Sequence, residues 1–252
     1  MCGRFVSSTP PDQLAAYFDV DAVDEQVLER GPNYNTAPTT GVLVVRREGA
    51  ERVLEAFRWG LVPSWADDLR IGARLINARA ETVATKPAFR SAFTKRRCLI
   101  PADGFYEWTR PQDGPKQPWF IHRRDGEPFA FAGLWETWRG GRGREVPAEE
   151  RTAPSPPAEP LRTCTIVTTA ANEAMSALHD RMPVILPRDA WEPWLDPELH
   201  DVDELRSLLV PAPSSLIEFH AVSTEVNDAR NKGAHLVEEV EPPAGQASAT
   251  SG

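Results

Sequence analysis

The residue with the most unusual chemistry sits second in the chain, which opens Met1-Cys2-Gly3-Arg4-Phe5. A small second residue lets an initiator methionine be trimmed, so the mature chain is expected to begin at Cys2. A terminal cysteine carries an α-amine and a thiol on adjacent carbons, with reference pKa values of about 7.7–8.0 and about 8.5. Both have usable nucleophilic fractions near neutrality. Together they suit an aldehyde. The amine forms an imine, the thiol adds to the imine carbon, and a five-membered thiazolidine closes. An internal cysteine cannot close that ring. The plain alternative is that Cys2 is only the second residue of an ordinary chain.

Three stretches set polar residues among apolar ones. In CLIPADGFYEW (98–108), Glu107 lies between two aromatics. A desolvated carboxylate there has a raised pKa and can shuttle protons; strand alternation equally allows it to face solvent. In LINARAE (75–81), Asn77 and Arg79 share a face if the chain is extended. Asn77 can then hold a nucleophile and Arg79 a phosphate, or Asn77 can simply cap a helix. In LHDRMPVIL (178–186), His179 sits in a loop, where functional residues concentrate. Its alternative is a structural bond to Asp180.

The elements that must position these groups are mostly strands. Residues 40–46, 53–59, 98–108, 119–122, 129–134 and 164–168 are short runs rich in β-branched and aromatic residues. Helices are expected at 11–18 with Thr9 as cap, at 80–84, at 87–93, at 172–178, and at 202–209 with Asp201 as cap. No βαβ alternation appears. The expected fold is α+β, a single domain with a curled, mostly antiparallel, barrel-like β-core and peripheral helices. Residues 139–160, rich in Gly, Pro and Glu, read as a disordered inserted loop and 241–252 as a flexible tail, leaving one domain over 1–240.

Net charge is −9, which by itself disfavours nucleic acid. Yet Arg70 to Arg97 holds eight cations and only Glu81 as an acid, +7 over 28 residues. Local potential guides a polyanion, although such a run can also be a solvated helix face. YNTAPT (34–39) and WGLVPSW (59–65) supply amides, hydroxyls and aromatics of the kind that stack on single-stranded bases. Three cysteines form no disulfide framework or metal pair. Neither a phosphate-binding glycine loop nor a run able to span a membrane is present. The opening residues do not read as a signal peptide. A cytoplasmic protein with no metal and no cofactor is expected.

The order MCGRF, YNTAPT, WGLVPSWA, INARAET, CLIPADGFYEW, FAFAGLWE, CTIVTTAAN, HDRMPVIL and VNDARNKG resembles the SOS-response-associated peptidase (SRAP) family from Cys2 to about His235. The resemblance implies a sensor of abasic sites in single-stranded DNA, cross-linking the ring-opened sugar through the terminal cysteine as a thiazolidine. That is a cross-linking, lyase-like activity with an accompanying autopeptidase activity, acting in the DNA damage response. It implies catalytic residues at Cys2, Asn77, Glu107 and His179, and DNA contacts at Arg4, Asn33, Pro38, Trp65 and Arg79. The expected partner is abasic single-stranded DNA, with the protein a monomer, nucleoid-associated when bound. Family members often carry a second aromatic after the position of Trp65; Ala66 stands there in this chain. Two rivals remain at this point: an N-terminal-nucleophile cysteine peptidase that cleaves its own leader, and a non-covalent single-stranded DNA-binding module.

Overall fold

The computed structural model describes residues 2–110, 116–140 and 159–241. Met1, most of the loop expected at 139–160 and all but the first residue of the expected tail lie outside them. The strands are β1 (Phe5–Ser7), β2 (Ala22–Val23), β3 (Asn33–Thr36), β4 (Gly41–Glu48), β5 (Glu51–Trp59), β6 (Asn77–Arg79) and β7 (Arg97–Ala102). They continue with β8 (Gly104–Thr109), β9 (Gln117–Arg123), β10 (Phe129–Trp138), β11 (Leu161–Ala170), β12 (Arg181–Pro183) and β13 (Ile217–Ala221). The helices are α1 (Pro11–Tyr17), α2 (Glu25–Leu28), α3 (Arg90–Lys95), α4 (Glu173–Ser176), α5 (Trp191–Leu195) and α6 (Val202–Ser207), with short 3-10 turns between.

One sheet runs β13-β9-β8-β1-β3 and the other β12-β11-β10-β7-β4-β5-β2, with β6 pairing β11. Most pairings are antiparallel; β5 and β6 run parallel to β11, and β2 runs parallel to β5. The two sheets enclose a core of Phe5, Val44, Phe57, Trp59, Ile100, Phe105, Ile121, Phe131 and Ile166. Phe5 meets Trp59 edge-on at 5.1 Å and Phe131 at 6.3 Å. Each such aromatic pair adds about 0.5–1.5 kcal/mol beyond its buried area. On the outer face of the larger sheet, Leu43, Val45, Leu99 and Val167 pack against Leu14 of α1, Phe93 of α3, Trp191 and Trp194 of α5 and Leu205 of α6. The fold is therefore the single-domain, barrel-like α+β arrangement expected, with its helices outside. Among the described residues no helix is long and apolar enough to cross a membrane.

Local expectations fail where side chains find other partners. The run 98–108 is two strands in two sheets, bent at Asp103. Its carboxylate accepts from the Ser8 N–H at 2.5 Å, the Thr9 N–H at 3.0 Å, and both hydroxyls. Thr9 is thereby used up, and α1 starts behind Pro10 with no side-chain cap, a start that Pro11 tolerates because its missing N–H would be unpaired anyway. Residues 80–89 form successive turns rather than helices, and α3 begins only at Arg90. Pro87 supplies no N–H and restricts the residue before it, so a helix cannot run through. Asp201 does cap α6, accepting from the Asp203 and Glu204 N–H groups.

Candidate functional site

The N-terminal arm is a strand held on both edges. β1 pairs antiparallel with β3 and with β8, Phe5 opposite Phe105 and Val6 opposite Gly104. The Tyr106 N–H donates to the Arg4 carbonyl at 3.0 Å. Continuing that register places Gly3 opposite Glu107, with Cys2 one residue beyond. Strand alternation sends Phe105 and Glu107 to the barrel-interior face and Tyr106 to the other. Accordingly Phe105 joins the barrel core, Tyr106 packs with Val6 and Phe120 outside it, and Glu107 is only 3% exposed. Of the two faces open to Glu107 in the sequence, the buried one is taken.

Cys2 is wholly buried against the end of the barrel core. Asn77 comes from β6, which runs parallel to β11 with Asn77 opposite Ile166. Its Nδ2 donates to the Cys2 carbonyl at 2.8 Å. Its Oδ1 is buried with no hydrogen-bond partner among the described residues, leaving an acceptor beside the N-terminal arm. Burial pushes the Cys2 thiol well above the ordinary range, and the neighbouring Glu107 carboxylate pushes it further. Burial also raises the Glu107 carboxyl, while the field of His179 pulls it back. Glu107 thus sits within electrostatic reach of both Cys2 and His179, and Asn77 touches Cys2 directly.

His179 lies between α4 and β12. Its N–H donates to the Met175 carbonyl at 2.9 Å, closing the turn after α4. Its Nδ1 has two neighbours with opposite demands. The Arg181 N–H at 2.9 Å needs the nitrogen lone pair, whereas Asp180 Oδ1 at 2.7 Å needs a proton on it. The bond to Asp180 anticipated as an alternative is therefore present, but it competes with a main-chain donor.

The residues expected to touch DNA are distributed less simply. Arg79 shares the face of Asn77, is exposed, and makes no ion pair among the described residues. The rival partner for it, Glu81, is taken by Arg181. Trp65 stands 51% exposed on a turn. Ala66 behind it is buried, and its carbonyl accepts from Trp138 Nε1 at 2.7 Å, so position 66 faces inward in this chain. Arg4 is half-buried. Its Nη1 donates to Asn35 Oδ1 at 2.7 Å and to the Val226 carbonyl at 2.9 Å. Asn33 accepts the Asn35 N–H on its own Oδ1, and Pro38 is half-buried in the turn after β3.

The basic segment divides. Arg97 is buried, donates to the carbonyls of Phe93, Trp194, Asp196 and Leu199, and has its pKa lowered to about 10, chiefly by burial. Arg96 pairs with Glu136 and Arg70 with Asp68. Arg74, Arg79, Lys86, Arg90 and Lys95 remain as exposed cations.

Two polar networks were not legible in the residues. Glu81 and Arg181 form a forked ion pair across β11. Asn35 is buried, and its Nδ2 lies within 3.0–3.1 Å of the carbonyls of Val226, Asp228 and Asn231, while the Lys232 ammonium donates to the Asn35 main-chain carbonyl. The signal was faint: Asn35 sits amid other polar residues, and Arg181 follows the more conspicuous His179. Among the described residues no group of three or more His, Cys, Asp or Glu side chains is placed to hold a metal ion.

The profile of the SOS response associated peptidase (SRAP) family matches residues 1–229. Abasic site processing protein YoaM of Bacillus subtilis (strain 168) is 42% identical over 241 residues, covering 94% of this chain and 98% of that protein. Abasic site processing protein YedK of Escherichia coli (strain K12) is 31% identical over 244 residues, covering 95% of this chain and 100% of that one. A crystal structure of a protein from Bacteroides thetaiotaomicron superposes with a TM-score of 0.79 over 95% of this chain and 100% of its own, at 24% identity, and supports the fold alone. By the profile and by these relatives, the chain belongs to the SRAP family.

Proposed function

We propose that this protein processes abasic sites in single-stranded DNA by forming a covalent thiazolidine through Cys2. Its relatives named as abasic site processing proteins support the substrate. The observation that carries the chemistry is the convergence of Asn77 and Glu107 on Cys2, with His179 within reach of Glu107.

Removal of Met1 frees the Cys2 amine. The amine adds to the aldehyde carbon of the ring-opened sugar, and water leaves as the iminium forms. The sulfur then adds to the same carbon, the thiol proton departs, and the iminium nitrogen becomes the ring amine. The net change is the loss of one water. Burial and Glu107 keep the thiol protonated, so the amine reacts first and sulfur second. Glu107, with its raised pKa, passes the protons that both steps require. Asn77 holds the terminal residue in place. His179 assists opening of the sugar ring or meets the 3′ phosphate. Arg79 and Trp65 offer an exposed cation and an exposed ring to the strand, with Arg4, Asn33 and Pro38 along the same arm. A hydrolytic thiolate fits the site less well, because both its apolar wall and Glu107 oppose ionisation of the thiol.

The test is a denaturing gel of the mature protein with abasic and intact oligonucleotides, together with its intact mass. A shifted band with abasic DNA only, absent in Cys2→Ala, is expected, while Cys2→Ala keeps most of its non-covalent binding. Cys2→Ser should give an imine that borohydride traps. A stable band in Cys2→Ala without borohydride overturns the reading; native binding with no band for the wild type favours a non-covalent module.

A further inference from the structure

We infer that Glu81, acting through Arg181, is a positioning residue that sets the ring of His179 relative to Asn77 and Cys2. The inference rests on the proposed role of that site in adduct formation.

Asn77 and His179 arrive on opposite edges of one strand. Thr168 of β11 is opposite Arg79 of β6 on one edge and opposite Pro183 of β12 on the other. No main-chain hydrogen bond joins β6 to β12 among the described residues; each is registered only to β11. The link that bypasses β11 is made by side chains. Arg181 Nη1 and Nη2 donate to the two carboxylate oxygens of Glu81 at 2.5 and 3.0 Å. Nη2 also donates to the Thr168 carbonyl at 2.7 Å, directly beneath the crossing. The Arg181 side chain is 12% exposed, and its forked geometry fixes the guanidinium in both position and plane.

The clamp matters because the main chain of the same arginine reads His179. The Arg181 N–H donates to Nδ1 at 2.9 Å. That bond keeps the proton off Nδ1 and places the proton of the neutral ring on Nε2. Asp180 Oδ1, 2.7 Å from the same nitrogen, favours the opposite arrangement. Which neighbour holds Nδ1 depends on where the Arg181 N–H lies; the β11–β12 ladder, with Ala170 opposite Arg181, sets its register, and the Glu81–Arg181–Thr168 crossing holds the arginine against that edge. Cutting the crossing hands Nδ1 to Asp180 and reverses the ring's donor and acceptor edges.

Two measurements test this. The first is the ring 15N spectrum of His179 in the DNA-free protein, which reports the tautomer without any activity. Wild type should show Nδ1 unprotonated and Nε2 protonated; Glu81→Gln should shift toward Nδ1 protonation, and so should Arg181→Lys, which loses the fork. An unchanged ring spectrum in both variants overturns the clamp. The second is single-turnover adduct formation at saturating abasic strand. Glu81→Gln should slow it by about tenfold, the scale expected when a reacting group is held slightly out of place. Affinity for an intact strand should stay within about twofold, which separates positioning from binding. In a His179→Ala background, Glu81→Gln should cost nothing further; a full additional loss there would show that Glu81 acts elsewhere and overturn the proposal. Wild type that forms no adduct, yet shows the tautomer shift between variants, would overturn the function reading and leave the clamp standing.

Discussion

Cys2 and Glu107 each carry a penalty that makes sense only together. An apolar wall around a thiol suppresses its ionisation, and the adjacent carboxylate adds to that suppression. Burial likewise raises the Glu107 carboxyl, giving it a proton to exchange. This shift has a measurable signature in stability. The unfolded carboxyl titrates near about 4.3, and the folded one higher, so the folded state binds the proton more tightly. The wild-type contribution is complete below the unfolded value and is lost as pH rises through the folded one. Glu107→Gln does not titrate. The melting temperature of the variant relative to wild type should therefore climb as pH rises from about 4 through the raised folded value. A difference that stays flat across that range would mean that Glu107 titrates like an exposed carboxyl.

At the scale of elements, the site depends on how β8 is delivered. Asp103 ends β7 by gathering the Ser8 and Thr9 donors, and β8 restarts in the other sheet alongside β1. Gly104 makes the turn possible. A Cβ built there would lie 2.3 Å from Phe120 Cε2 and 2.6 Å from the Ile121 carbonyl oxygen. The ring has some freedom to shift; the main-chain oxygen, fixed in the β8–β9 ladder, has little. Gly104→Ala should cost about 1–3 kcal/mol through overpacking. For a chain of this size that is about 2–4 °C in melting temperature per kcal/mol. Because β8 carries Glu107, adduct formation should fall as well. Unaltered melting would show that the two sheets yield more easily at this junction than their packing implies. The arm itself is secured from behind by Asn35, which ties β3 to residues 226–231 and accepts from Arg4.

For the molecule as a whole, a net charge of −9 opposes long-range attraction to DNA. The expected cationic cluster is smaller in space than in sequence, since Arg97, Arg96 and Arg70 are committed to protein partners. Arg79 has no such tie among the described residues. About three phosphate contacts would give a log–log salt slope of roughly −2 for a single strand, at about −0.7 per contact. Arg79→Ala should weaken binding to abasic and intact strands alike and flatten that slope by somewhat under one unit. Its melting temperature should not change, because Glu81 is already paired with Arg181. A lowered melting temperature with an unaltered salt slope would assign Arg79 a structural role instead.

The sequence by itself determined the chemistry available at Cys2, the strand-rich α+β class and, through the order of its motifs, the family. Those follow from residue type and local pattern, which need no knowledge of what lies across the fold. It did not determine which face of β8 is covered, because alternation defines two faces but not the sheet that packs on one of them. Nor could it sort the Arg70–Arg97 cations: Arg97 and Arg79 read alike until carbonyls of α3, α5 and the loop after α5 close over one and solvent meets the other. The partner of Glu81 was decided in the same way. Arg79 is two residues away in sequence, but it ends β6 while Glu81 lies in the turn that follows, and strand order brings Arg181 from 100 residues along the chain to take the carboxylate. Ion pairs and burial depend on distances that only the closed sheets set.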